Sequence, residues 1–119
     1  MSFRGPVNLG DFSEPQPDIV LLKHRADDYS SRIPGAADVL LLIEVSDSTL
    51  AFDQGAKLAL YARYGVPEYW VIDVEGQRII THREPTANGY VRTFESVAAN
   101  TVSPQALPDV TIVVRELFE

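Results

Sequence analysis

The chain has 119 residues, the size of one domain, and its 45% of hydrophobic residues are enough for one modest core. It contains no cysteine, which excludes a disulfide framework and a cysteine-based zinc site. Its formal net charge of −7 argues against nucleic-acid binding through overall basic character. We therefore predict a single domain over residues 1–119, in which any nucleic-acid contact uses a local basic patch or a bound metal ion.

The N-terminal residues 1–17 predict a loop-like segment, because they contain two glycines and three prolines. Within this segment, residues 7–9 are a candidate short edge strand. No apolar run here has the length of a signal peptide, and the longest apolar run of the chain, residues 39–43, is too short to span a bilayer. We predict a protein of the cytoplasm with no membrane partner.

Two apolar runs predict the first core strands. Residues 19–22 are β-branched and leucine-rich, and they follow Pro17 and Asp18. Residues 39–45 are apolar at both parities, which is typical of a strand covered on both faces. Glu44 lies at the end of this second strand, and a buried carboxylate needs a partner or a metal ion.

A helix is predicted after this strand, ending at about Tyr64. Its apolar residues recur at helical spacing, with Gly65 just after the end and Pro67 as a stop. Four consecutive residues are good caps for its beginning: Ser46, Asp47, Ser48 and Thr49.

The remaining residues predict further strands. Residues 68–73 form a third core strand, which a helical crossover makes a parallel neighbour of strand 39–45. The other predicted elements are a turn at 75–77, an antiparallel strand at 78–84, a turn at 85–89, a strand at 90–94, an extended segment at 110–114 and a helical turn at 115–119.

Asp18 and Glu44 are candidate metal ligands. If their strands are antiparallel neighbours, the start of one lies beside the end of the other, and the two carboxylates converge. Such a pair suits Mg²⁺ or Mn²⁺, which prefer oxygen ligands. The alternatives are a turn residue after proline for Asp18 and a salt-bridged carboxylate for Glu44.

Asp53, Lys57 and Tyr61 are spaced by four residues and share one face of the predicted helix. If the helix start packs over the end of strand 39–45, this face meets Glu44, and Lys57 could stabilise developing charge or orient a water. The alternative is an exposed pair of Asp53 with Lys57, worth a few tenths of a kcal/mol.

A few other residues are weaker candidates for a functional role. Asp73 ends a strand parallel to that of Glu44, and it is a weaker candidate for the same site. We predict surface or partner roles for His24 and His82, and core or rim positions for Tyr69 and Trp70.

The order of these motifs resembles the bacterial "putative restriction endonuclease" domain family of the PD-(D/E)XK nuclease superfamily. The resemblance covers roughly residues 14–118. The residues that carry it are Pro17-Asp18, Glu44-Val45-Ser46, the segment from Asp53 to Lys57, Tyr61, and the stretch GVPEYWVID at 65–73.

The resemblance implies an α/β fold with a restriction-endonuclease-like mixed central β-sheet and a flanking helix. It also implies hydrolysis of phosphodiester bonds, with DNA as the expected substrate and Mg²⁺ or Mn²⁺ as the cofactor. By motif position, Asp18, Glu44 and the carbonyl of Val45 would be the metal ligands.

In the superfamily, a lysine usually stands two residues after the glutamate, where this chain has Ser46. The resemblance implies that Lys57 supplies this ammonium from the helix and that Asp53, Tyr61 and Ser46 support the site.

One departure from the family opens an alternative function. Only seventeen residues precede Asp18, so we expect the family's N-terminal helix to be missing. The alternative is a catalytically inactive interaction module that keeps the nuclease fold and assembles through a sheet edge, for example as a homodimer.

Overall fold

The structure is a computed structural model that describes residues 2–3, 19–22, 38–46 and 55–118. Its main element is a six-stranded sheet in which the strands follow one another in chain order. The strands are β1 Ser2–Phe3, β2 Ile19–Leu22, β3 Val39–Ser46, β4 Glu68–Asp73, β5 Arg78–Thr86 and β6 Gly89–Val97. The β3–β4 pair is parallel and the other four pairs are antiparallel, so the sheet is mixed, as predicted.

The central strands β3 and β4 are parallel because a helix connects them. Helix α1, Ala56–Arg63, carries the chain back between the two strands. Both faces of β3 are covered, since Leu41 packs into one core cluster and Leu42 into another. The predicted crossover is thereby confirmed.

The end of α1 is set by a glycine. Gly65 has a φ of +77°, and its N–H donates to the carbonyl of Ala62 at 3.0 Å, while the N–H of Val66 donates to that of Tyr61 at 3.0 Å. This pair of bonds is a Schellman motif, which requires the left-handed conformation that glycine adopts without strain. Val66 is fully buried in the same cluster as Tyr61, so the motif fastens the helix end to the core.

The beginning of the predicted helix lies outside the described residues, as do three of its four predicted caps, residues 47–49. Ser46, the fourth, is the last residue of β3. The described helix starts at Ala56, after Gly55. The predicted edge strand at 7–9 also lies outside the described residues. The short strand β1, at Ser2–Phe3, was not predicted.

The β5–β6 hairpin is tighter than predicted. Thr86 pairs with Gly89, so the turn consists of two residues rather than the predicted segment 85–89. The Thr86 hydroxyl closes it, donating to the Gly89 carbonyl at 2.8 Å and accepting from the Asn88 N–H at 3.1 Å. Pro85 is tolerated within β5 because the pairing of β5 with β4 ends at Arg83.

A second, two-stranded sheet follows, formed by β7 Thr101–Val102 and β8 Ile112–Val113, and a 3₁₀ helix, Val114–Phe118, comes after it. The extended segment and the final helical turn were predicted, whereas β7 was not. None of the helices in the described residues is long and apolar enough to cross a membrane.

The core consists of two layers, one on each side of the large sheet. We call the side covered by α1 the helix face and the other side the opposite face. The buried residues of the helix face are Val20, Leu22, Val39, Leu42, Tyr61, Val66, Tyr69, Val71 and Ile80. Those of the opposite face are Leu41, Trp70, Ile79, Val102 and Val114.

Candidate active site

Glu44 lies on the helix face near the end of β3 and is 3% exposed. Alternation along the strand places it on the same side as Leu42, whereas Val45 points to the opposite face and is 45% exposed. A carboxylate in this position is costly without partners, so its contacts indicate what it does.

Helix α1 supplies those contacts from two successive turns. Lys57 Nζ donates to Glu44 Oε2 at 2.8 Å, and the Tyr61 hydroxyl donates to the same oxygen at 3.0 Å. The two side chains reach one oxygen because residues four apart lie above one another on a helix. The predicted polar face of the helix therefore does meet Glu44.

Lys57 and Tyr61 differ in their access to solvent. The Tyr61 side chain is fully buried, whereas that of Lys57 is 29% exposed. Tyr61 consequently fixes the Glu44 carboxylate from inside the core. Lys57 places a positive charge beside this carboxylate and is partly exposed, so its ammonium is accessible to a substrate.

Asp18 and Asp53 lie outside the described residues, so their predicted roles stay predictions. The arrangement on which the Asp18 prediction depends is present in part. β2 and β3 are antiparallel, and Ile19 pairs with Ile43, the residue before Glu44. Among the described residues, no three acidic or histidine side chains form a group that could hold a metal ion.

Ser46 and Val45 occupy the last positions of β3. Ser46 is buried, and its carbonyl accepts the N–H of Val74 at 3.0 Å. Because the Val45 side chain is on the opposite face, its predicted contribution to the site is limited to its backbone carbonyl. The ligand and support roles of both residues stay predictions.

Asp73 is the direct neighbour of Ser46 across the parallel β3–β4 pair. Its Oδ1 accepts the N–H of Gly76 at 3.0 Å, and its Oδ2 accepts Arg78 Nε at 2.7 Å. Burial alone would raise the pKa of Asp73, but these bonds and the Arg78 charge together lower it. Asp73 is therefore held as a carboxylate that orients Arg78.

His82 lies in the core, and its predicted surface or partner role is wrong. It is 3% exposed, with its ring 5.7 Å from those of Tyr69 and Tyr90, and its Nδ1 lies 2.9 Å from Thr93 Oγ1. Burial lowers its pKa to about 4. Its spacing of two from Ile80 was the sequence signal that β5 turns this position inward. His24 lies outside the described residues.

Contacts between aromatic rings on the helix face hold Tyr61 in position. The rings of Tyr61 and Tyr69 meet edge to face, with centroids 4.9 Å apart, and Tyr69 in turn stacks on His82. Such contacts restrict ring orientation. The hydroxyl that binds Glu44 thus belongs to a ring fixed by neighbours on β4 and β5.

Glu68 is a buried carboxylate that sequence reasoning did not single out. It is 0% exposed, and its Oε2 accepts Trp70 Nε1 and Arg83 Nε, both at 2.8 Å, while Oε1 accepts the N–H of Gln105 at 2.9 Å. Arg83 also donates to the Ser103 carbonyl at 2.7 Å. The pattern Glu-x-Trp on a strand was the available signal, because residues two apart share a face.

Together, the mixed sheet, the crossover helix and a buried strand-end glutamate bound by a helix lysine define a nuclease-like α/β fold. The structure is similar to the crystal structure of "a putative nuclease belonging to DUF820" from Anabaena variabilis ATCC 29413, with a TM-score of 0.71 and 18% sequence identity. The similarity covers 98% of this chain and 66% of that chain. It confirms the predicted restriction-endonuclease-like fold.

The chain belongs to the Uma2 family, whose description is "Putative restriction endonuclease", and the family model matches residues 2–115. This match confirms the resemblance found in the motifs. No curated protein matches the chain closely enough to add a further comparison.

Proposed function

We propose that this chain is a divalent-metal-dependent nuclease that hydrolyses phosphodiester bonds of DNA. The observation that carries the proposal is the 2.8 Å contact between Lys57 Nζ and the buried carboxylate of Glu44, in a chain of the Uma2 family. This contact supplies the ammonium that the residue at position 46, a serine, does not.

The chemistry of the donor set fits Mg²⁺ or Mn²⁺. Glu44, the carbonyl of Val45 and the predicted ligand Asp18 are all oxygen donors, and Mg²⁺ is commonly held by one or two carboxylates together with substrate phosphate. The pairing of Ile19 with Ile43 supports this set, since Asp18 precedes Ile19 in the sequence. When bound, such an ion acts as a Lewis acid and makes water a better nucleophile.

The residues of the chain itself have distinct tasks in this proposal. Glu44 contributes negative charge and a ligand oxygen, and Tyr61 fixes the orientation of its carboxylate. The Lys57 ammonium, which reaches the surface, stabilises the charge that develops on the phosphoryl oxygens or orients the attacking water.

The direct test is nicking of supercoiled plasmid DNA by the purified chain in Mg²⁺ or Mn²⁺, with an RNA substrate in parallel. Lys57→Ala and Asp18→Asn are each expected to slow cleavage by at least about 100-fold. Arg63→Ala is the matched control, because it removes a positive charge from an exposed position on the same helix. Cleavage that survives both Lys57→Ala and Asp18→Asn contradicts the mechanism.

Metal binding can be measured apart from activity by thermal unfolding in Mn²⁺. A ligand that binds only the folded state at 100 times its Kd stabilises that state by about 2.7 kcal/mol. Glu44→Gln should remove this stabilisation, whereas Glu75→Gln, at an exposed turn position, should not. The absence of any shift in millimolar-range Mn²⁺ would favour the inactive interaction module, whose homodimer is tested by the mass in size-exclusion chromatography.

A further inference from the structure

We infer that Arg78 binds a backbone phosphate of the nucleic acid next to the phosphate that is cleaved. The inference rests on the function proposed above and assigns a substrate-holding residue to the same site. It is carried by the position of Arg78 on the sheet, by the way Asp73 orients it, and by the two guanidinium nitrogens that Asp73 does not bind.

Arg78 lies on the same face of the sheet as Glu44. Ser46 pairs with Asp73, and Asp73 with Arg78, so the three residues form one row across β3, β4 and β5. Neighbouring strands are about 4.8 Å apart, which places the Cα of Arg78 about 10 Å from that of Ser46. A nucleic-acid strand that passes Glu44 at the end of β3 therefore comes within reach of the Arg78 side chain.

The guanidinium of Arg78 is oriented before any substrate arrives. Asp73, which is 4% exposed, accepts its Nε at 2.7 Å and is itself held by the N–H of Gly76. A Cβ at Gly76 would lie 2.4 Å from Asp73 Oδ2, so the close approach requires glycine. A pre-oriented side chain loses less freedom on binding than a mobile one.

The outer edge of the guanidinium suits a phosphate. Its Nη1 donates to the carboxylate of Glu95, whose side chain is 53% exposed, and within the described residues its Nη2 has no hydrogen-bond partner. The two nitrogens form the planar fork that binds phosphate oxygens in pairs. A phosphate would displace Glu95, which can turn into solvent because exposed ion pairs are weak.

Because the protein is acidic, a cation such as Arg78 near the site matters for binding phosphate. With a net charge of −7, contact with phosphates depends on the cations placed near the site. The described strands carry three arginines: Arg78, Arg83 and Arg92. Arg83 is bound to Glu68 on the opposite face, and Arg92 pairs with Arg83 on that same side, so Arg78 is the strand arginine that faces Glu44.

The first test measures binding of a short labelled DNA duplex by fluorescence anisotropy, with Ca²⁺ in place of Mg²⁺ to avoid cleavage. Arg78→Ala should weaken binding about fivefold and lower the slope of log Kd against log salt by about one. Arg78→Lys should keep the slope and lose part of the affinity, because lysine keeps the charge without the fork. Arg92→Ala removes the same charge from the opposite face and should change Kd by less than about twofold.

The second test leaves the Asp73–Arg78 pair intact and so does not depend on whether Arg78→Ala folds. Glu95→Gln should strengthen binding about threefold, because it removes the carboxylate that competes with a phosphate for the Arg78 guanidinium. Glu84→Gln is the control, since it removes the same charge from another exposed position of the hairpin.

The outcomes separate this inference from the proposed function. Equal effects of Arg78→Ala and Arg92→Ala, or of Glu95→Gln and Glu84→Gln, in a protein that binds and cleaves DNA overturn the role of Arg78 alone. A protein that binds neither DNA nor RNA overturns both.

Discussion

Glu44 and Glu68 are both buried on the central parallel strands, yet they lie on opposite faces of the sheet and have different partners. Glu68 is bound by Trp70, by Arg83 and by the backbone N–H of Gln105. The Gln105 contact ties the segment after β7 to the sheet. Glu44 is bound by Lys57 and Tyr61 from the crossover helix. Burial of a carboxylate therefore does not identify an active site by itself.

The chemistry of the cation distinguishes the two sites. Arg83 is 16% exposed, and its rigid fork joins Glu68 to a backbone carbonyl, an arrangement suited to holding structure in place. Lys57 is a point charge on a flexible stem and is 29% exposed, which allows its ammonium to meet a substrate. The helix face is thus expected to carry function and the opposite face stability.

Neutralising Glu44 should show most clearly that the two carboxylates differ in role. Glu44→Gln should lower DNA cleavage at least about 1000-fold, or about 4 kcal/mol in activation free energy, because it removes the proposed metal ligand and the partner of Lys57. Stability should change by only about 1 kcal/mol, since the partly exposed Lys57 can turn to solvent. Cleavage rates and urea unfolding of the same samples measure both effects, and full activity would contradict the assignment.

On the opposite face, Arg83→Ala should destabilise the fold by about 3–5 kcal/mol, because it leaves the Glu68 carboxylate buried without its cation. Urea unfolding measures this loss. Arg92→Ala, at a 58% exposed side chain whose Glu84 contact is 3.8 Å, should cost less than about 0.5 kcal/mol. Similar losses for the two variants would mean that the Glu68 cluster is not a structural anchor.

His82 makes the helix face sensitive to pH. Burial lowers the pKa of His82 from 6.5 to about 4. As the pH falls between these values, the unfolded chain therefore binds a proton at His82 and the folded chain does not. The free energy of unfolding should therefore be constant above 6.5 and fall by about 3 kcal/mol by pH 4 through this residue. His82→Gln should flatten this part of the profile, measured by urea unfolding across the range.

Asp73 acts in a different pH range and can be separated from His82. Its lowered pKa contributes stability that is complete above 3.8 and is lost as the pH falls through the lower folded value. A loss of stability that is the same in the wild type and in His82→Gln between pH 6.5 and about 4 would show that other groups dominate there.

The smallest expected effect concerns Tyr61. Tyr61→Phe keeps the ring and removes the hydroxyl that donates to Glu44. The free energy of unfolding should therefore fall by about 1 kcal/mol. Cleavage should slow by about tenfold, because the Glu44 carboxylate is less firmly oriented. Tyr90→Phe is a matched control, because the Tyr90 hydroxyl binds the Val66 carbonyl away from Glu44. A larger loss of activity in Tyr90→Phe would mean that general core packing, not the Glu44 contact, limits cleavage.

Much of this arrangement could be predicted from local signals. The two-sided apolar pattern of β3, the Gly65 helix end and the four-residue spacing of Lys57 and Tyr61 depend on neighbours in sequence. The inward orientation of Glu68 and His82 had a local signal in the alternation of their strands, but their distant partners had none. Gln105 lies 37 residues from Glu68, and its contribution is a backbone N–H, which leaves no mark on residue type.

Trp70 gives the molecule a built-in optical probe. It is the single tryptophan of the chain, it is 1% exposed, and its indole N–H is hydrogen-bonded to Glu68. Because it lies on the opposite face, we expect its emission wavelength to report on water entry there and not on ligands near Glu44. A fluorescence change on adding DNA would indicate that binding changes the structure around Trp70. Unfolding followed by Trp70 fluorescence and by circular dichroism would reveal whether the two core layers unfold in one transition.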